Sequence, residues 1–212
     1  MKVAVIDDDK SARASLERLL KSAGIEVVAF SSAHEFLDDA GTDHIDCAVT
    51  DLRMPGVDGI KLQELLAERL PHLSMVFVTG YGDIPTSVKA IRGGAVDFLE
   101  KPIDDGALLD AIRRASERSA NRRASRGEID NLGKRYQLLT PRERDVFRLV
   151  TSGLLNKQIA AELGITEGTV KVHRGRVMTK MNADSLAGLV RMADGLRIRT
   201  RWRSKPKGAG LR

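Results

Sequence analysis

Apolar residues in the first half of the chain gather into five short runs: Val3-Ala4-Val5-Ile6, Val27-Val28-Ala29-Phe30, Cys47-Ala48-Val49, Met75-Val76-Phe77-Val78, and Ala95-Val96 through Phe98-Leu99. Most are continuous rather than alternating, the pattern of strands buried on both faces. Between them, apolar residues recur at i, i+3, i+4 spacing: Leu16, Leu19, Leu20 and Ala23 before Gly24, Leu62, Leu65 and Leu66 before Pro71, and Leu108, Ala111, Ile112 and Ala115 after Asp104-Asp105. Gly, Pro and Asp stand where helices stop and start. The alternation predicts an α/β fold, a doubly wound parallel five-stranded sheet.

From Thr140 onward the pattern is helical only. Thr140-Pro141-Arg142-Glu143 reads as a capping box with Pro at the first helical position, followed by Val146, Phe147, Leu149 and Val150. A second helix is predicted from Lys157 to Leu163, ending at Gly164, and Thr166 caps a third with Val170, Val177, Met178 and Met181 as its apolar stripe. A fourth runs from about Ser185 to Ala193. Two short helices joined by a tight Gly-containing turn predict a helix-turn-helix within a small all-α domain, with Glu167–Lys180 as the helix able to enter a major groove. Off its stripe are read Lys171, His173, Arg174, Arg176 and Lys180, a set that a solvated face alone would also explain.

The chain has 212 residues, 42% hydrophobic and 30% charged, which excludes fibrous and disordered classes. No apolar run approaches the roughly 18 residues of a membrane span, and Met1-Lys2 leads directly into a strand-like run rather than a signal peptide, so a cytoplasmic location is expected. The lone cysteine, Cys47, excludes an internal disulfide and a multi-cysteine zinc site, and reads as a buried structural thiol. Charge divides the chain. Residues 1–120 carry 14 Lys and Arg against 21 Asp and Glu, a net of −7, while residues 121–212 carry 21 against 8, a net of +13. A basic second half suits a polyanion, most simply nucleic acid, with an acidic membrane surface as the competing reading.

In a doubly wound sheet, ligands bind beyond the carboxyl ends of the strands. The polar groups fall there: Asp7, Asp8 and Asp9 after the first run, Asp51 after the third, Thr79 at the end of the fourth and Lys101 after the fifth. Asp is common in loops and caps, but joint placement at one edge points to chemistry. Clustered carboxylates call for a cation, and Mg²⁺ held by one or two carboxylates with water and phosphate oxygens fits. A hydroxyl and an ammonium suit a phosphoryl oxygen, and an Asp carboxylate can accept a phosphoryl group.

These residues resemble the receiver domain of two-component response regulators: Asp7-Asp8-Asp9, Asp51-Leu52-Arg53-Met54-Pro55-Gly56-Val57-Asp58-Gly59, Thr79-Gly80 and Glu100-Lys101-Pro102, in order and at matching intervals. The resemblance implies a flavodoxin-like fold, Asp51 as phosphoacceptor, and Mg²⁺ among Asp7, Asp8, Asp51 and the backbone carbonyl of Arg53. It also implies Thr79 and Lys101 as phosphoryl-binding groups, Phe98 as an aromatic switch, and a cis Lys101–Pro102 bond.

Residues 138–192 resemble the LuxR-type DNA-binding domain through Leu139-Thr140-Pro141-Arg142-Glu143, Gly153, Asn156 to Ile165 (NKQIAAELGI), Thr169-Val170-Lys171-Val172-His173-Arg174 and Lys180-Met181. Together the two indicate the FixJ/NarL family of transcriptional regulators, nearer its FixJ-like branch. By resemblance Lys171 and Val172 face the groove, while Thr169, His173, Arg174 and Arg176 contact bases or backbone. The expected organisation is a receiver at 1–118, a linker at 119–136 that is helical in its first part, a helix-turn-helix domain at 137–196 and a basic tail at 197–212, read as either phosphate-binding or merely solvated.

The expected partners are a sensor histidine kinase and double-stranded promoter DNA, with RNA polymerase a further candidate and no membrane. The resemblance also implies a homodimer on phosphorylation, through about Thr86–Arg92, Phe98–Leu99 and Asp104–Arg118. The alternatives are a basic domain that reads RNA or a protein, and a haloacid-dehalogenase-like phosphatase, against which Lys10 stands where that motif carries Thr or Val. The expectation is that the chain is not an enzyme.

Overall fold

The structure of the chain, a computed structural model, describes residues 1–39, 44–80 and 84–198. Two compact units divide at Ala124/Ser125. The first holds strands β1 (Lys2–Ile6), β2 (Glu26–Phe30), β3 (Cys47–Thr50), β4 (Ser74–Thr79) and β5 (Asp97–Glu100), with helices α1 (Lys10–Ser22), α2 (Ala33–Asp38), α3 (Gly59–Arg69), α4 (Ile84–Arg92) and the first part of α5 (Asp105–Gln137), which continues past the division.

All strand pairs are parallel, in the order β2-β1-β3-β4-β5. The two-residue period of a strand splits its side chains between two cores. Ala4, Ile6, Ala48 and Phe77 pack with Phe36, Leu62 and Leu66 on one face, and Val3, Val5, Cys47, Val49, Val76 and Val78 with Leu16, Leu20, Leu108 and Ile112 on the other. Both faces are covered, which is why the strands read as continuous apolar runs. Cys47 is fully buried, and that burial pushes its thiol far up from the ordinary cysteine range.

Helix α2 is too short for a periodic signal. Ser32 Oγ accepts from the Glu35 amide at its start, and Phe36 is its buried anchor. Residues 119–136, read as a linker helical only in its first part, are helical throughout, because α5 runs unbroken to Gln137. The stretch contains no Pro, and its four Arg together with Ala120, Ala124, Glu128, Leu132 and Lys134 are good helix formers, with Gly127 and Gly133 its weakest positions. Tertiary contacts hold its early turns: the Ser74 amide donates to Ser119 Oγ at 2.8 Å, and Arg123 donates to Asp46 at 3.2 Å and to the Ile45 carbonyl at 2.9 Å.

The second unit contains α6 (Pro141–Thr151), α7 (Asn156–Leu163), α8 (Glu167–Met181) and α9 (Leu186–Gly195) around Phe147, Val150, Ile159, Val170, Val177, Met181 and Leu189. Thr140 and Glu143 form the reciprocal capping box at α6. Gly164, with φ at 65°, makes the left-handed turn between α7 and α8, a conformation that favours glycine. No described helix is long and apolar enough to cross a membrane. Of the basic tail, residues 199–212 lie outside the described residues.

Candidate functional site

The order β2-β1-β3 makes the chain leave β1 in opposite directions along the sheet, so a crevice opens between the carboxyl ends of β1 and β3. Asp7 follows β1 and is buried; Asp51 follows β3 and is half-buried; Asp8 is exposed at the rim. One carboxylate oxygen from each lies within 4.8 Å of the others. From beyond β5, Lys101 places Nζ 2.9 Å from Asp7 Oδ2 and 4.0 Å from Asp51 Oδ1. Thr79, at the end of β4, is buried at the same edge of the sheet. The Lys101–Pro102 bond is cis.

Burial raises the pKa of Asp51, with Asp7 adding to the rise, while Lys101, the Leu52 amide and the Thr79 hydroxyl act in the opposite direction. Asp51 Oδ1 is buried with no hydrogen-bond partner among the described residues. An oxygen-only donor set, an unpartnered buried oxygen and crowded negative charge fit a small hard dication such as Mg²⁺. Arg53 lies in the loop just past Asp51. Asp9 has a separate job: its Oδ1 accepts from the Ser11 and Ala12 amides at 2.7 and 3.0 Å as the cap of α1, and those two bonds hold its carboxyl below the ordinary range.

Phe98 lies on β5, half-buried, its ring centroid 6.1 Å from that of Phe77. Gly59 lets α3 begin close under the site, since a Cβ there would sit 2.5 Å from the Asp51 carbonyl oxygen and 2.8 Å from the Phe77 ring.

On α8, Thr169, Lys171, Val172 and Arg176 are exposed, and His173 and Arg174 are half-buried. Two residues read as lying off the apolar stripe do not stand free of the fold. Lys180 turns inward to the buried Glu143 carboxylate at 2.7 Å. Arg174, one turn after Val170 and three residues before Val177, borders the buried stripe, and its Nη1 donates to Asn156 Oδ1 at 3.2 Å. Both partners are invisible to periodicity, which marks an apolar face and not the neighbour that a bordering cation finds. Asn156 carries no sequence signal for this contact beyond its place at the start of α7.

The first unit therefore has the fold and acidic crevice of a phosphoacceptor module, and the second those of a helix-turn-helix module. The response regulator receiver domain family matches residues 3–113, and the family of bacterial regulatory proteins of the luxR type matches residues 137–193. Nodulation protein W of Bradyrhizobium diazoefficiens is 50% identical over 196 residues, 92% of this chain and 86% of the relative. Transcriptional regulatory protein FixJ of Azorhizobium caulinodans is 47% identical over 191 residues, 90% of each chain. Among solved structures, response regulator StyR is similar with a TM-score of 0.78 at 47% identity, covering 91% of this chain and 98% of the other. Full-length FixJ from B. japonicum is similar with a TM-score of 0.54 at 40% identity, covering 93% and 98%.

The chain belongs to the two-component response regulators of the FixJ/NarL family, joining a receiver domain to a LuxR-type DNA-binding domain. A receiver joined to such a domain implies a cognate kinase and a DNA partner.

Proposed function

We propose that a sensor histidine kinase phosphorylates Asp51, and that the modified receiver drives homodimerisation and promoter binding through α8. The observation that carries this reading is the placement of Lys101 Nζ between Asp7 and Asp51 at the carboxyl edge of the sheet. An Asp51 carboxylate oxygen attacks the phosphorus of the kinase phosphohistidine, the P–N bond breaks, and an acyl phosphate forms on Asp51. Asp7, Asp8 and Asp51, with the Arg53 carbonyl, would hold Mg²⁺, which supplies charge neutralisation for an incoming phosphoryl oxygen. Lys101 pairs with the phosphoryl group, and the Thr79 hydroxyl donates to it.

The added charge is the switch. When Thr79 turns to the phosphoryl group, Phe98 moves inward toward Phe77. The surface this prepares for a second copy is supported by an exposed apolar row on α4: Ile84, Val88 and Ile91, which are 80%, 41% and 47% exposed at i, i+4, i+7 spacing. A dimer sets two α8 helices on two half-sites. Lys171 and Val172 reach the groove floor, and Thr169, His173, Arg174 and Arg176 meet bases or backbone. The protein works in the cytoplasm, with RNA polymerase a further partner at promoters, and catalyses no turnover of its own.

The test is the intact mass of wild type and Asp51→Asn after incubation with Mg²⁺ and acetyl phosphate. A gain of one phosphoryl group in wild type alone is expected. An equal gain in Asp51→Asn would move the acceptor elsewhere.

A further inference from the structure

Arg174 is the one cation of α8 that is tied to a different helix of the helix-turn-helix by a neutral partner. Val170, Arg174 and Val177 follow one another along the same side of α8, with both valines in the core. Arg174 is half-buried beside that row, whereas Lys171, Val172 and Arg176 are exposed. Its guanidinium leaves along the seam with α7 and meets Asn156, the first residue of that helix. Among the described residues no carboxylate pairs with Arg174, so its charge is uncompensated. Lys157, exposed beside Asn156, adds a second cation at the same end of α7.

We propose that Asn156 is a positioning residue for DNA binding: its side-chain oxygen holds the Arg174 guanidinium at the start of α7, so that Arg174 grips a backbone phosphate rather than a base edge. This rests on the reading of α8 as the recognition helix. In a helix-turn-helix the first helix crosses the DNA backbone while the second lies in the groove, which puts the α7 end of the seam over phosphate. An amide is the suitable tether. It orders a long, flexible side chain before DNA arrives, and it leaves the full positive charge for phosphate, whereas a carboxylate at position 156 would order the guanidinium and cancel it. One of the five guanidinium N–H groups is spent on Asn156, which leaves four donors for a phosphate.

The role separates from a direct contact by its salt signature. Neutralising one phosphate contributes about 0.9 to the log–log slope of affinity against salt concentration. The full-length chain is titrated against a short labelled duplex of scrambled sequence at several salt concentrations. Arg174→Ala should weaken binding and lower the slope by about 0.9. Asn156→Ala should raise Kd about two- to tenfold, the cost of ordering one long side chain, with the slope unchanged because the charge is still present. Asn156→Asp should keep the tether yet lower the slope, as Arg174→Ala does. In an Arg174→Ala background, Asn156→Ala should have no further effect.

If Asn156→Ala weakens binding equally with and without Arg174, or leaves Kd unchanged, the positioning role is overturned. Weaker binding by Lys171→Ala and Arg176→Ala in the same assay would show that the α8 reading survives such a result. Unchanged binding in both would overturn the α8 reading itself, and the positioning role with it.

Discussion

Lys180 Nζ lies 2.7 Å from Oε2 of Glu143, a carboxylate whose side chain is only 2% exposed, although 37 residues separate them. The same oxygen accepts from the Thr140 amide at 2.9 Å, and Lys180 also donates to the Leu138 carbonyl at 3.1 Å. The start of α6 and the end of α8 are thus joined through one buried carboxylate. Burial works to raise its pKa, but the hydrogen bonds from Lys180 and Thr140 outweigh this and hold it below the ordinary glutamate range.

Lys180→Met should therefore destabilise the second unit by about 1–3 kcal/mol, because the carboxylate loses its charged donor where water cannot fully replace it. Acid should act through the same group. With its folded pKa below the unfolded value, Glu143 is protonated first in the unfolded chain, so its contribution is complete above the ordinary glutamate range and fades as pH falls through the folded pKa. Urea unfolding across that range should be steeper in pH for wild type than for Glu143→Gln.

Gly59 and Gly175 should respond to alanine with opposite signs. At Gly59 the new methyl group meets the Asp51 carbonyl oxygen at 2.5 Å and the Leu52 Cα at 3.1 Å, both backbone and unable to yield cheaply, so a loss of about 1–3 kcal/mol is expected. At Gly175, inside α8, a Cβ meets nothing within 4 Å, and Gly175→Ala should gain about 0.5–1 kcal/mol. Denaturant midpoints of the two variants measure both.

Asp51→Asn should raise the melting temperature of the metal-free protein while abolishing phosphoryl gain. Burial and the neighbouring Asp7 disfavour the charged form of Asp51, so removing that charge relieves a cost the fold carries at neutral pH. Added Mg²⁺ should stabilise wild type more than the variant, since it meets one carboxylate fewer there. Thermal melts with Mg²⁺ and with a chelator test both statements.

Ile84→Asp, 80% exposed, should leave the fold and the phosphoryl mass gain intact and prevent phosphorylation-dependent dimerisation. Sedimentation velocity of the acetyl phosphate-treated protein checks this. A dimer retained by Ile84→Asp would put the interface on another face.

Much of this protein was legible in the chain alone, because the signals are local. Val3–Ile6 and Met75–Val78 read as doubly buried strands since both neighbours of a parallel sheet are apolar layers, and Asp7, Asp51, Thr79 and Lys101 fall at strand ends simply by counting along the sequence. Thr140, Thr166 and Gly164 mark helix ends because capping satisfies backbone groups within a few residues. Tertiary structure alone decided which distant groups meet. Helix α5 continues to Gln137 where composition suggested a linker, and Ser119 and Arg123 find Ser74 and Asp46 only once the sheet exists. Lys180 and Arg174 look like members of one polar face, yet each turns to a partner on another helix, Glu143 for one and Asn156 for the other. Periodicity records the side of a helix that avoids water. The fate of a charge at the border of that side depends on what the rest of the chain brings within hydrogen-bonding distance.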